Sequence, residues 1–253
     1  MSHYDEQREQ LNMQSKIKLM MGDCLERMKE IPSGSIDMIL TDPPYGTTAC
    51  KWDSIIPLEP MWAQLKRIIK PNGAIVVTAS QPFTTTLIAS NIKMFKYNLI
   101  WEKSRSSSPM LAKKQPMRFH EDVCVFYKKQ PTYNPIMSEG NKNHGTKAGK
   151  ATINIHGGIE SKFKENTSKM KYPRSVMKVK STDSTRNLHP TQKPVALMEY
   201  LIKTYTNEGE TVLDFTCGSG STGVAAKNLN RNFIGIELDE TYFNIAKERI
   251  NNS

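Results

Sequence analysis

The sequence predicts an α/β protein built on a doubly wound, mostly parallel sheet, and three observations carry that prediction. Short apolar runs recur along the chain, as in Ile36-Asp37-Met38-Ile39-Leu40-Thr41, Ala74-Ile75-Val76-Val77-Thr78 and Thr211-Val212-Leu213-Asp214-Phe215. Segments with helical spacing separate them, and strand alternating with helix is the pattern of a sheet covered on both faces. Two of the runs end abruptly, one in Asp42-Pro43-Pro44-Tyr45 and one in a turn at Gly218-Ser219-Gly220. The carboxyl ends of strands are where open α/β sheets keep their sites.

Taken in order, residues 17–21 read as a short strand ending in Gly22-Asp23, followed by a helix over 24–30 that Pro32 and Ser33-Gly34 stop. The strand 36–41 comes next, then a loop over 46–53 that carries Lys51 and Trp52 behind the tetrapeptide. Residues 58–70 set Leu58, Met61, Trp62, Leu65, Ile68 and Ile69 at helical spacing, with Pro71-Asn72-Gly73 as the stop. A buried strand over 74–78, a helix over 83–91 and strands over 97–101 and 123–127 complete this half. The polar loop 103–118, with Lys103 and Arg105 near its start, leaves the same sheet end as the tetrapeptide. After Pro194, which suits a first helical turn, a helix covers 195–204. A turn at 208–210, a strand at 211–215, a small-residue helix at 221–229, a strand at 232–237 and an amphipathic helix at 240–250 finish the chain.

Composition narrows the function classes. At 253 residues the chain is long enough for a substantial core. No apolar stretch approaches the roughly 20 residues that span a bilayer, and the polar first residues lack the apolar centre of a secretory signal. Cys24, Cys50, Cys124 and Cys217 are scattered without CxxC spacing, which predicts thiols of a reducing compartment, with no disulfide framework and no metal site. The net charge is +10, and residues 130–188 supply +7 of it, with eleven Lys or Arg against four Asp or Glu. Such concentration in an irregular Gly-, Asn- and Ser-rich segment points to a polyanion, with nucleic acid first. The chain therefore divides into a polar tail over 1–15, a first half over 16–129, an insertion over 130–188 and a second half over 189–253.

The two strand-end motifs carry the chemistry. Consecutive prolines cannot continue a sheet ladder, so Asp42-Pro43-Pro44-Tyr45 is a stiff edge with one carboxylate, bare carbonyls and one aromatic face. That set suits a flat ring with an exocyclic amino group, whose protons go to Asp42 and the Pro43 carbonyl while the ring lies on Tyr45. In isolation the same four residues equally make a proline-rich turn. The run Gly218-Ser219-Gly220-Ser221-Thr222-Gly223 fits G-x-G-x-x-G between a strand and a helix, with Glu237 seventeen residues after Gly220. Glycines admit a ligand to the backbone, and an acid at the next strand end holds ribose hydroxyls. Alone, this half fits an NAD-type oxidoreductase. Asp214 argues for a different nucleoside cofactor, because a carboxylate sits badly beside a pyrophosphate and well beside a cationic amino-acid end.

Together with Gly22-Asp23-Cys24, His189-Pro190-Thr191-Gln192-Lys193-Pro194 and Asp214-Phe215-Thr216-Cys217-Gly218-Ser219-Gly220, the tetrapeptide resembles the motif set of the amino-group DNA methyltransferases. The resemblance covers most of the chain apart from its first dozen residues and the stretch from 130 to 188. It implies a Rossmann-like fold, circularly permuted in the beta-group order of catalytic tetrapeptide, recognition segment and cofactor turn. It also implies S-adenosylmethionine as cofactor. Asp42, Pro43, Pro44 and Tyr45 match the catalytic motif. Asp214, Thr216, Gly218, Gly220 and Thr222 match the cofactor turn, Glu237 the ribose acid and Asp23 the adenine acceptor. Thr191, Gln192 and Lys193 are candidates for the methionine end. Thr216 departs from the family, which commonly places Phe there; here Phe215 stands one position earlier.

The reaction so implied is methyl transfer to adenine N6 of a flipped-out base by direct displacement, with no covalent enzyme intermediate. Asp at the first motif position favours adenine, and cytosine N4 stays as the alternative. A non-catalytic DNA-binding protein is the remaining contrast to the oxidoreductase. Lys51, Trp52, Lys103, Arg105, Lys171 and Arg174 are candidate DNA contacts. The implied setting is the cytoplasm of a bacterium or phage host, associated with the nucleoid and with no membrane partner. A homodimer and a partner restriction endonuclease are both left open.

Overall fold

The computed structural model describes residues 16–48, 53–107, 109–141, 169–181 and 192–253. Two compact units emerge, one of residues 1–134 with 175–253 and a small one of Pro135–Arg174.

The larger unit is organised by a sheet of eight strands: β1 (Ile17–Met21), β2 (Ile36–Thr41), β3 (Ile69–Ala79), β4 (Phe95–Glu102), β5 (His120–Phe126), and β8 (Val176–Lys178), β9 (Thr211–Asp214) and β10 (Asn232–Glu237), with β6 (Ser138–Glu139) and β7 (Met170–Lys171) falling in the small unit. Their order across the sheet is β1-β10-β9-β2-β3-β5-β4-β8. Every neighbouring pair is parallel except those that β5 makes with β3 and β4. The exception has a local cause. Among the described residues no α-helix lies between β4 and β5, and a connection without a crossover returns as a hairpin. β4 consequently runs parallel to β2, so the 103–119 hairpin leaves the same edge as the tetrapeptide.

Alternation along the strands feeds two cores. Ile39, Ile75 and Val77 point to one face, where they meet α1 (Cys24–Met28), α2 (Leu58–Ile68) and α3 (Phe83–Ser90). Met38, Leu40, Ala74 and Val76 point to the other and meet α4 (Val195–Tyr205), α5 (Ser221–Asn228) and α6 (Glu240–Asn251). Period-two alternation with helices on both sides is what a doubly wound sheet requires. The helical spacing predicted for 58–70 is seen in Met61, Trp62, Leu65 and Ile68, all buried on one side of α2. Among the described residues no helix is long and apolar enough to cross a membrane.

Pro71-Asn72-Gly73 does not form a separate turn. β3 begins at Ile69, opposite Ile36, and resumes pairing at Ala74 opposite Met38, so Lys70–Gly73 bulge out against the single residue Asp37. The bulge is pinned where Lys70 Nζ meets Asp37 Oδ1 at 2.6 Å. A Cβ on Gly73 would come within 2.7 Å of the Asp37 carbonyl, so only glycine fits there.

The small unit contains β6 (Ser138–Glu139) paired antiparallel with β7 (Met170–Lys171). It is narrower than the 130–188 insertion read from sequence, because Val176–Lys178 joins the main sheet beside β4. Lys171 lies on β7, and Arg174 is exposed at the unit's end.

Candidate active site

Four adjacent strands each deliver one carboxylate to the same edge of the sheet. Register sets Met21 beside Glu237, Gly235 beside Asp214, and Ile39 beside Leu213. Asp23, Glu237, Asp214 and Asp42 therefore follow one another along the carboxyl ends of β1, β10, β9 and β2. All four line one open cleft of about 1510 Å³, together with Pro43, Pro44, Tyr45, Gln192, Lys193, Thr216, Gly218 and Thr222. The tetrapeptide and the glycine turn thus share a wall.

At the tetrapeptide end, Asp42 is held from three sides. Its Oδ1 accepts from the Tyr45 hydroxyl at 2.5 Å and from Thr78 Oγ1 at 2.5 Å, and its Oδ2 accepts from Lys193 Nζ at 2.7 Å. Lys193 also meets Glu121 at 3.2 Å, and Glu121 meets Lys103 at 2.8 Å. Lys103, Glu121, Lys193 and Asp42 therefore alternate in sign along a largely buried row. Burial alone would lower the Lys193 pKa, but the charges of Asp42 and Glu121 outweigh it and raise it. Burial would likewise raise Glu121, and Lys193 with Lys103 instead holds it below the usual carboxylate range. Tyr45 is raised well above its ordinary value by burial, then by the charges of Asp42 and Glu121, so it stays a neutral donor. Its ring stacks on Phe83 with centroids 5.4 Å apart. No described residue donates to the Pro43 carbonyl.

The loop after the tetrapeptide is folded around Asp53. That carboxylate accepts from the backbone amides of Tyr45, Gly46, Thr47 and Thr48 at 2.7–2.9 Å. Burial opposes its charge, yet the Thr48 hydroxyl and these amides hold its pKa down. Gly46 permits the turn with φ of 66°.

At the other end, Asp214 is buried and satisfied by hydroxyls. Thr222 Oγ1 donates to its Oδ2 at 2.6 Å and Thr41 Oγ1 to its Oδ1 at 2.8 Å. Burial pushes its pKa up from 3.8 to about 7, against the pull of Thr222, Thr41 and the Thr216 amide. Glu237 accepts from the Gly218 amide at 2.8 Å and the Asp239 amide at 2.9 Å. Asp23 caps α1 by accepting from the Leu25 amide at 2.9 Å. Leu238 lines the cleft beside Glu237 and is 70% exposed, an apolar surface for a flat ring. Arg249 Nη1 donates to the Ser219 carbonyl at 2.6 Å and fixes the glycine turn from behind.

The residues fit a nucleoside cofactor with a cationic amino-acid tail. A glycine-lined wall opens onto Gly218 and Ser219, two acids flank the nucleoside end, and Asp214 is poised to gain charge beside a cation. Cys217 lines the same wall, but burial first, then Asp214 and Glu237, raises its thiol far above the ordinary range. A thiol so placed is no nucleophile at neutral pH.

The residues singled out from sequence have separate fates. Asp42–Tyr45, Asp23, Gln192, Lys193, Asp214, Thr216, Gly218, Thr222 and Glu237 converge on the cleft, and Arg105 lies on its rim. Gly220 stands behind it, where an added Cβ would meet Ala246 Cβ at 3.0 Å, and its φ of 81° shapes the turn into α5. Lys103 is not a surface lysine: its side chain is 9% exposed and ion-paired with Glu121 in the cleft wall. Lys171 and Arg174 belong to the small unit. Lys51, Trp52 and Thr191 lie outside the described residues. Sequence reading missed Glu121, Thr78, Thr41 and Asp53.

A doubly wound sheet with a nucleoside cradle and an acid-and-carbonyl ledge on one edge is the architecture of a nucleoside-dependent group-transfer enzyme. Comparison makes the class specific. The family model described as DNA methylase matches residues 36–248, and the chain belongs to that family. It is 30% identical over 248 residues to the DNA adenine methyltransferase YhdJ of Escherichia coli (strain K12), covering 90% of this chain and 81% of that one. To the type II methyltransferase M.HpaI of Haemophilus parainfluenzae it is 28% identical over 254 residues, 92% of this chain and 74% of the relative. The crystal structure of an M1.HpyAVI–SAM complex superposes with a TM-score of 0.65 at 29% identity, covering 93% of this chain and 99% of that one.

Proposed function

We propose that this chain transfers the methyl group of S-adenosylmethionine to the exocyclic N6 of adenine in DNA. One observation carries the reading: Asp42 and Pro43 on one side and the Gly218 turn with Asp214 and Glu237 on the other line a single cleft. Bound there, S-adenosylmethionine supplies an electrophilic methyl on a sulfonium.

The chain's own residues do the rest. The base amino nitrogen is a poor nucleophile because its lone pair is delocalised into the ring. Donating to Asp42 Oδ2 and the Pro43 carbonyl favours a pyramidal nitrogen and stabilises positive charge as it develops. Asp42 cannot swing away, because Tyr45, Thr78 and Lys193 fix it. Asp23 and Glu237 serve the nucleoside and Asp214 and Gln192 the methionine end, while Lys193 holds Asp42 in place. The relative named a DNA adenine methyltransferase supports adenine over cytosine N4. Those named type II methyltransferases support a restriction–modification setting.

The test is direct. Purified protein, S-adenosylmethionine and unmodified DNA are incubated, and the nucleosides are separated and weighed. N6-methyladenine is the expected product, whereas N4-methylcytosine alone, or no methylated base, overturns the proposal.

Asp214 gives a second prediction. Its folded pKa of about 7 exceeds 3.8, so its contribution to stability is full below about pH 4 and is lost as pH rises through 7. A cationic ligand beside it favours the carboxylate. Affinity for S-adenosylmethionine is therefore expected to rise with pH up to about 7, by up to about tenfold per pH unit on the acid side, with proton release on binding. Calorimetric titration in two buffers of different ionisation enthalpy reads both. A dissociation constant flat from about pH 6 to about pH 8 would reject this role, and Asp214→Asn is expected to flatten it.

A further inference from the structure

The hairpin between β4 and β5 carries an apolar tip that neither catalysis nor the core uses. Met110 is 95% exposed, and Leu111 (41%) and Met117 (44%) flank it. Beyond Lys103, which pairs with Glu121, residues 104–118 hold four Lys or Arg and no acid. The segment is closed and built. The Lys103 amide donates to the Phe119 carbonyl at 2.7 Å and the Ser107 amide to the Arg118 carbonyl at 3.1 Å. A 3-10 turn over Pro109–Leu111 forms the tip, where the Gln115 amide donates to the Leu111 carbonyl at 3.0 Å. Arg118 Nη1 ties the hairpin to β3's carboxyl end by donating to Ser80 Oγ at 2.6 Å. Leu111 and Gln115 line the cleft that holds Tyr45.

Exposed apolar side chains grouped on an ordered element mark a contact surface, and cations around them select a polyanion that also offers an apolar interior. Duplex DNA is that partner: phosphates outside, stacked bases within. We propose that Met110, with Leu111 beside it, is the wedge that enters the duplex and fills the gap left when the target base is drawn into the cleft. This rests on the DNA methyltransferase reading and adds the element that opens the helix. An unbranched, polarisable thioether can slide between bases and lie against their faces. Arg105, Lys113 and Lys114 carry the tip to the backbone. The cleft wall at Leu111 keeps the wedge beside the pocket that receives the base.

The experiment compares two substrates carrying the site that sequencing of methylated DNA identifies. One is an intact duplex. In the other, the target adenine faces an abasic position, so nothing has to be unpaired. Met110→Ala is expected to slow single-turnover methylation of the intact duplex by about tenfold or more and to leave the abasic-opposed duplex near the wild-type rate. Met110→Leu is expected to retain most activity on both. Equal rates for wild type and Met110→Ala on the intact duplex overturn the proposal. So does an equal loss on both substrates, which would mean that Met110 only positions the protein. Wild-type protein inactive on both would sink the methyltransferase reading itself, and unchanged thermal melting shows that the variants fold.

Discussion

Asp42→Ala is expected to reduce methyl transfer to DNA by about a thousandfold, equivalent to about 4 kcal/mol of transition-state stabilisation, while the protein still folds and binds S-adenosylmethionine. The size follows from geometry. Two donors occupy Oδ1 and one occupies Oδ2, and an ionised carboxylate has about four acceptor sites. The remaining capacity lies on the oxygen facing Lys193, and the base amino group takes it. Without that acceptor the nitrogen lone pair stays in the ring, and the growing positive charge has only the Pro43 carbonyl. Folding survives because Lys193 keeps Glu121 at 3.2 Å. Asp42→Asn keeps the shape and loses the charge, and is expected to fall roughly a hundredfold. Single-turnover transfer beside a cofactor titration separates these effects. A near-normal transfer rate in Asp42→Ala would remove the carboxylate from the chemistry.

The ledge and the glycine turn were legible in the sequence because each is a contiguous run whose residue types dictate its backbone. Two consecutive prolines cannot continue a sheet ladder, and the paired glycines at 218 and 220 open a turn. The sheet around them was legible for the same reason, through the apolar runs. Glu121 was not. It is one acid at the start of an antiparallel strand, and nothing near it in the chain says that it faces two lysines. The ion pair of Lys103, a candidate DNA contact, was not legible either, because a lysine in a polar loop looks solvated; the hairpin pairing that turns it inward involves Phe119 and Glu121, sixteen and eighteen residues away. Thr78 and Asp53 are similar cases, since each earns its place only through the atoms it holds. Pro71-Asn72-Gly73 failed differently. These residues were expected as the stop of a helix reaching 70, but the helix ends at Ile68 and the strand takes them up as a bulge against Asp37.

The Lys103–Glu121–Lys193–Asp42 row yields the largest expected effect on stability. Its four charges cancel in pairs, and both lysine side chains are only 9% exposed, with Glu121 at 15%. Glu121→Gln removes the central negative charge and leaves two enclosed ammonium groups with Asp42 alone. Removing one member of a buried pair costs about 3–5 kcal/mol. In a protein of this size that corresponds to a fall in melting temperature of roughly 10 °C. Adding Lys103→Met restores the balance of charge, so the double variant is expected to recover more than half of the loss. A double-mutant cycle in thermal or urea unfolding measures that coupling, and simple additivity of the two changes would show that the charges act independently. The pH dependence has a definite sign. Glu121 is held below its ordinary value of 4.5, so its contribution is present above about pH 4.5 and disappears as the pH falls through its lowered range. Wild-type protein is thus expected to lose its advantage over Glu121→Gln on acidification. The same row keeps Lys193 on Asp42 Oδ2, which links this stability to catalysis: in Glu121→Gln, transfer at saturating cofactor should slow more than binding weakens.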